Sequence, residues 1–192
     1  MAPAPKIDQT EFPAPRRGRA RMSEGTTFWW PSKQGLTSAK TRAFRDHWRT
    51  LCEGRPMPPR GALDPLAITT LLPHIVLVDV LHDTAQLRYR LIGTFVTGLA
   101  GRDATGRILD RSLYGSYLEA MIWPYEETVR TAAPVATLSG VLFAERDWHC
   151  VENLFVPFGA DGAVEMLATC VDVDRDKVQR DLGRGLILDW TS

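Results

Sequence analysis

The sequence predicts an α+β domain: a five-stranded antiparallel sheet with short helices on one face and an N-terminal helix on the other. Three observations carry this. Two strand-like runs, His74–Val80 and Gln86–Ile92, are joined by the turn residues His82-Asp83-Thr84. A group of short helical segments follows, punctuated by Gly93, Gly101, Pro124 and Pro134. Three more strand-like runs then come in succession, Thr137–Glu145, Trp148–Phe158 and Ala163–Val173. Their turns are Arg146-Asp147 and Gly159-Ala160-Asp161-Gly162. Strands and helices grouped in this way build a sheet with its helices on one side.

Residues 1–37 hold five of the 13 prolines and the basic cluster Arg16–Arg21, without sustained periodicity, and are expected to form an extended or disordered arm. Phe28, Trp29 and Trp30 are the exception. Three adjacent large aromatics are costly to leave in water and call for a docking surface. Residues 38–73 form a helix and connector. Ser38 or Thr37 caps the helix, and Phe44, Trp48 and Leu51 make its apolar stripe. Asp64-Pro65 opens a second short turn.

Residues 74–173 make the main domain. In Gln86–Ile92, alternation puts Leu87, Tyr89 and Leu91 on one face. Thr94–Leu99 is a short helix with Phe95 and Leu99 four apart. Tyr114–Ile122 and Pro124–Ala133 are expected as two helices, because proline inside one helix costs about 3 kcal/mol. Residues 174–192 form a C-terminal extension with a charged helical segment, Asp174–Leu182, and an apolar tail, Leu186–Trp190.

Composition narrows the function. Basic and acidic residues balance at 23 each, which argues against nucleic acid or an anionic membrane as partner. No run approaches the ~20 apolar residues of a membrane span, and the N-terminus lacks the apolar core of a secretory signal. A cytoplasmic protein is expected. Cys52, Cys150 and Cys170 lack paired spacing and read as small apolar residues in a reducing compartment.

Several short motifs along the chain form one pattern. They are Trp48, Arg55-Pro56-Met57-Pro58, Asp64-Pro65 and Leu71-Leu72-Pro73-His74. The pattern continues in Tyr89-Arg90-Leu91-Ile92-Gly93-Thr94, in Gly101-Arg102-Asp103-Ala104-Thr105-Gly106-Arg107, and in Val156-Pro157-Phe158 with Asp161-Gly162. Together they resemble a proteobacterial PAS family, often met as a lone domain of unknown function; the resemblance spans roughly residues 40–173 and implies a PAS fold with a sensory or interaction role. It implies no particular ligand. Oxygen-sensing haem PAS domains carry a histidine on the helix before the three-strand run, and Pro124–Ala133 has none. Flavin photosensors carry a reactive cysteine before that helix, and Leu113–Met121 has none. Haem and flavin are therefore disfavoured.

Other motifs carry little chemistry. Gly101–Arg107 lacks the Lys-Ser/Thr pair of a phosphate loop and reads as turns with local caps. His149 and Cys150 are adjacent, so on a strand they point apart and poorly share a metal. Glu126 and Glu127 diverge by about 100° on a helix. No catalytic residues and no metal site are expected.

The expected function is recognition of a small molecule in the domain interior, signalled onward by contact with another protein. The alternative is a ligand-free adaptor. The candidate ligand-binding residues are Leu87, Tyr89, Leu91, Phe95, Leu99, Tyr125 and Val129, with Tyr89 and Tyr125 as polar handles. Arg90 is read either as paired with Asp79 or Glu145 or as an anion anchor. Both sheet faces carry apolar residues, so the outer one needs a cover. A homodimer through the N-terminal helix and outer sheet face is expected to supply it, with cover from the same chain as the other option.

Overall fold

The computed structural model describes residues 29–31, 36–140 and 150–173. Glu145, the turn Arg146-Asp147, His149, Asp174–Leu182 and Leu186–Trp190 lie outside the described residues.

The elements follow the expected order. A strand β1 (Trp29–Pro31) precedes helix α1 (Ala39–Cys52) and three short 3-10 turns. The hairpin β2 (Ile75–Leu81) and β3 (Gln86–Ile92) comes next, then α2 (Thr94–Ala100), α3 (Arg111–Tyr114) and α4 (Leu118–Thr131). Strands β4 (Val135–Gly140), β5 (Cys150–Ala160) and β6 (Ala163–Val173) complete the sheet. All pairings are antiparallel, in the order β1-β4-β5-β6-β2-β3. The five expected strands are present. The sixth, β1, comes from the aromatic run of the arm and pairs its backbone with the outer edge of β4.

Register separates the faces. Glu152, Leu154, Val156 and Phe158 of β5 pair with Asp172, Cys170, Ala168 and Met166 of β6. This outer face continues through Ile75, Leu77 and Asp79 of β2. Helix α1 lies on it, against β5 and β6. Phe44 and Trp48 are buried there, and the Trp48 Nε1–H donates to the Pro157 carbonyl at 2.9 Å. Burying two such side chains contributes about 2 kcal/mol each. The inner-face residues Asn153 and Phe155 face α4 instead, with Val76, Val78, Leu167 and Thr169. The stripe on α1 is Thr41, Phe44, Trp48 and Cys52, with Leu51 half-buried. Cys52 and Cys170 are buried free thiols, and burial pushes Cys170 up to about 12.

Cover from the same chain therefore meets the need under α1. The outward side of that helix is polar, carrying Arg42, Asp46 and Arg49, with Glu53 exposed at its C-cap.

The caps form as the side chains dictate. Ser38 Oγ accepts from the N–H groups of Lys40 and Thr41, and Asp64 Oδ1 accepts from Leu66 N–H. The Gly101–Arg107 segment closes an edge of the sheet. Tyr89 N–H donates to the Arg107 carbonyl, Gly106 N–H to Tyr89, and Leu109 N–H to Leu87. The exposed side of β3 is thus paired within the chain. Gly106 turns there at φ 83°, in the left-handed region that favours glycine.

One helix differs from the expectation. Leu118–Thr131 is continuous, with Pro124 inside it. The proline removes one helical hydrogen bond. Its ring is buried, and Met121, Tyr125, Thr128 and Val129 bury the same side of the helix. Tertiary packing offsets the local cost.

Candidate functional site

The inner face brings three phenols together. Tyr89 comes from β3, Tyr125 from α4 and Tyr114 from the end of α3. The Tyr89 and Tyr114 hydroxyls share a hydrogen bond of 2.5 Å. The Tyr125 ring meets Phe155 edge-on, with centroids 4.8 Å apart and planes at 81°. Arg102 sits over the Tyr114 ring at 5.5 Å and donates to the Leu113 carbonyl. Leu87 and Val129 are buried and apolar.

Hydroxyls line the same face of the sheet. Thr169 of β6 and Thr137 of β4 are buried, and neither Oγ1 has a well-formed hydrogen bond among the described residues. A buried hydroxyl without a partner costs on the order of 1–3 kcal/mol. The Thr169 hydroxyl lies beside the Tyr125 phenol without closing that bond.

Burial sets the chemistry of the phenols. It pushes Tyr89 well above the ordinary phenol range, and the neighbouring Tyr125 and Tyr114 add to the shift. Burial likewise raises Tyr125, with Tyr114 contributing. Tyr114 is raised by burial, while its bond to Tyr89 and the charge of Arg102 pull it back. The cluster is a set of neutral donors and acceptors. It suits uncharged polar groups better than ions.

This has a measurable consequence. A phenol raised in the folded state stabilises the fold fully below the unfolded value of ~10 and loses that contribution as pH rises above it. In an absorbance titration, Tyr89, Tyr114 and Tyr125 are expected to stay protonated at pH ~10.5, where free tyrosine ionises. Urea stability is expected to fall over the same range. Full ionisation of all four tyrosines at that pH, with the fold intact, contradicts the buried cluster.

Of the sequence candidates, Leu87, Tyr89, Tyr125 and Val129 meet on this inner face. Leu91 does not. Leu77 pairs with Leu91 but Val78 pairs with Tyr89, so Arg90 is an extra residue in β3. This bulge breaks the two-residue alternation and leaves Leu91 41% exposed. Phe95 also leaves the site. Its ring stacks on His74 at 4.1 Å, and His74 Nδ1 lies 2.8 Å from the Val171 carbonyl oxygen. Helix α2 packs Val96 and Leu99 against the core, so Leu99 keeps its expected place and Val96 takes that of Phe95. Arg90 is no interior anchor. It lies on the outer face, 3.6 Å from Asp79, half exposed.

The sequence reading missed Tyr114, Thr137 and Thr169 as site residues. Thr169 had a readable signal, being a hydroxyl between apolar neighbours on a central strand. Tyr114 had none, because its approach to Tyr89 depends on the path of the loop across β3.

The sequence pattern described as a PAS domain matches residues 36–167. The chain belongs to the PAS domain family. The match takes in α1, the hairpin, the helix group and most of the final strands. As a PAS module, the chain has a sensory role in general terms. Among solved structures, the chain is similar to an RNA-binding light-oxygen-voltage receptor, with 17% identity and a TM-score of 0.45. That similarity covers 82% of this chain and 41% of the receptor, so this PAS chain spans less than half its length. No curated protein matches the sequence. No helix among the described residues is long and apolar enough to cross a membrane.

Proposed function

We propose that this PAS module recognises a small, uncharged polar molecule on the inner sheet face and passes the signal on by protein contact. The observation that carries the reading is the convergence of two buried phenols, Tyr89 and Tyr125, and the partly buried Tyr114 on a face that also holds two buried threonine hydroxyls without a hydrogen bond among the described residues. Such hydroxyls gain most from a ligand that completes their hydrogen bonds. Leu87 and Val129 would hold its apolar part.

In this reading the protein acts in the cytoplasm without catalysis and without haem, flavin or metal. A homodimer through α1 and the adjoining outer sheet face is the proposed route of transmission. The outward Arg42, Asp46, Arg49 and Glu53 offer charges of both signs for a two-fold contact.

Native mass spectrometry of protein purified from its own host tests the ligand. One uncharged molecule is expected to co-purify, and Tyr89→Phe/Tyr125→Phe protein is expected to retain at least tenfold less. Ligand-free protein that no neutral polar compound stabilises would leave the adaptor as the better reading.

A further inference from the structure

On the opposite face, three arginines converge on one buried carboxylate. Asp79 of β2 is almost fully buried on the outer side of the sheet. Arg60, from the connector after α1, places Nη2 2.6 Å from Asp79 Oδ1. Arg88 places Nη2 3.1 Å from Oδ2. Arg90, the extra residue of the β3 bulge, brings Nη1 to 3.6 Å from Oδ1. Their side chains are 38%, 45% and 52% exposed.

The charges do not balance. One carboxylate faces three guanidiniums, and among the described residues no other carboxylate pairs with any of them. Two positive charges remain on a half-exposed surface. The donors do not balance either. Each guanidinium presents a fork of N–H groups, yet Asp79 takes one hydrogen bond from Arg60 and one from Arg88. Arg90 lies beyond hydrogen-bond distance from it. Arg60, Arg88 and Arg90 come from two separate segments and are gathered by a buried anchor. This differs from a solvated charge run, whose side chains diverge into water.

From this arrangement we infer that Arg60, Arg88 and Arg90 form an oxyanion site that takes the dianionic phosphoryl group of a small phosphorylated molecule. Asp79 orients the guanidiniums and occupies their inner edges. The outer edges hold the anion. A phosphoryl group offers three oxygens and up to two negative charges, matching both the surplus donors and the surplus charge. The site is independent of the inner phenol cluster, because the sheet lies between them. It gives the module a second input of different chemistry.

Titration of the full chain with inorganic phosphate, pyrophosphate and malonate tests the site. The readouts are amide chemical shifts and melting temperature, with ionic strength matched by sodium chloride. Phosphate and pyrophosphate are expected to bind saturably, to shift the amides of residues 60, 79 and 88–90, and to weaken with added salt. Arg90→Ala removes no hydrogen bond seen in the structure, so its fold is expected to be intact. It is expected to weaken pyrophosphate binding at least fivefold, and Arg88→Ala/Arg90→Ala at least tenfold. Saturable binding by malonate but not by phosphate would overturn the phosphoryl assignment. Absence of saturable binding, or unchanged binding in Arg90→Ala and in the double variant, would overturn the site and leave Asp79 as a structural anchor only.

Discussion

Replacing Glu152 with alanine is expected to cost about 4 kcal/mol of stability, within the range for stripping the partner from buried charged hydrogen bonds. Glu152 is wholly buried on the outer face of β5, beneath the start of α1. Its Oε2 accepts from Thr37 N–H at 2.7 Å and from the Thr37 hydroxyl at 2.6 Å. Its Oε1 accepts from Ser38 N–H at 3.0 Å and from the Thr41 hydroxyl. The carboxylate thus performs a capping role from a distant strand, and its charge sits favourably at the positive end of the helix. Alanine leaves those donors without an acceptor in a site where water enters poorly. Glutamine keeps the shape but turns an NH₂ group toward donors, so an intermediate loss of about 2 kcal/mol is expected. Urea denaturation measures both. An alanine variant within 1 kcal/mol of the parent would show that the joint between the arm and α1 adds little to stability.

Acid is expected to loosen the same joint. Asp172, the register partner of Glu152, accepts from the Ser38 hydroxyl and pairs with Lys40 at 3.1 Å. Burial alone would raise its carboxyl, but the bonds from Ser38 and Lys40 and the Lys40 charge hold it below the ordinary value. A depressed carboxylate stabilises the fold above its unfolded value of ~3.9 and loses that contribution as pH falls through the folded value. Its exposed partner and partial burial make the effect a modest one.

Much of the architecture was legible because its signals are local. The β-branched run of the hairpin's first strand, the turn residues at 82–84, Ser38 before an amphipathic stripe and Asp64 before Pro65 each act within a few residues. The paired motifs across the chain pointed to the PAS family for the same reason. Departures came where distant packing decides. The bulge at Arg90 is set by how β3 meets β2, and it moved Leu91 outward. Phe95 left the expected stripe of α2 to stack on His74, 21 residues earlier in the chain, and Val96 packs against the core in its place. Pro124 stayed inside α4 because its ring fills a buried position. Glu152 was visible only as a charge in an apolar strand, and nothing local to it reveals that its partners are Thr37, Ser38 and Thr41. Leu87 and Tyr89 were found because strand alternation holds through Tyr89, and Tyr125 and Val129 because they lie four apart on one helix. The remainder depends on a loop crossing and on hydroxyls two and four strands away from β3.

Gly93→Ala is expected to destabilise the protein by about 3 kcal/mol, the upper part of the usual range for forcing atoms into a filled space. Gly93 joins β3 to α2, and its backbone is extended, at φ −64° and ψ 154°, so any residue could adopt it. The requirement is one of space. A Cβ there would lie 2.3 Å from the Pro73 carbonyl oxygen and 2.5 Å from that of Leu72. Both are backbone atoms, so no side chain can rotate away. The segment cannot simply retreat either, because Gly93 N–H donates to the Ile75 carbonyl at 2.8 Å. Relief would have to separate the β3–α2 corner from the turn at Leu72–His74, opening the stack of His74 on Phe95. Gly98, five residues on, is the control. It lies within α2, and nothing stands within 4 Å of where its Cβ would go. There alanine is expected to stabilise by about 0.5–1 kcal/mol, through helix propensity and a less flexible unfolded chain. The same chemical change is thus expected to have opposite signs five residues apart. Urea midpoints of the two variants measure it, and a Gly93→Ala protein as stable as the parent would show that the corner does not hold β3 against the Leu72–His74 turn as tightly as this geometry requires.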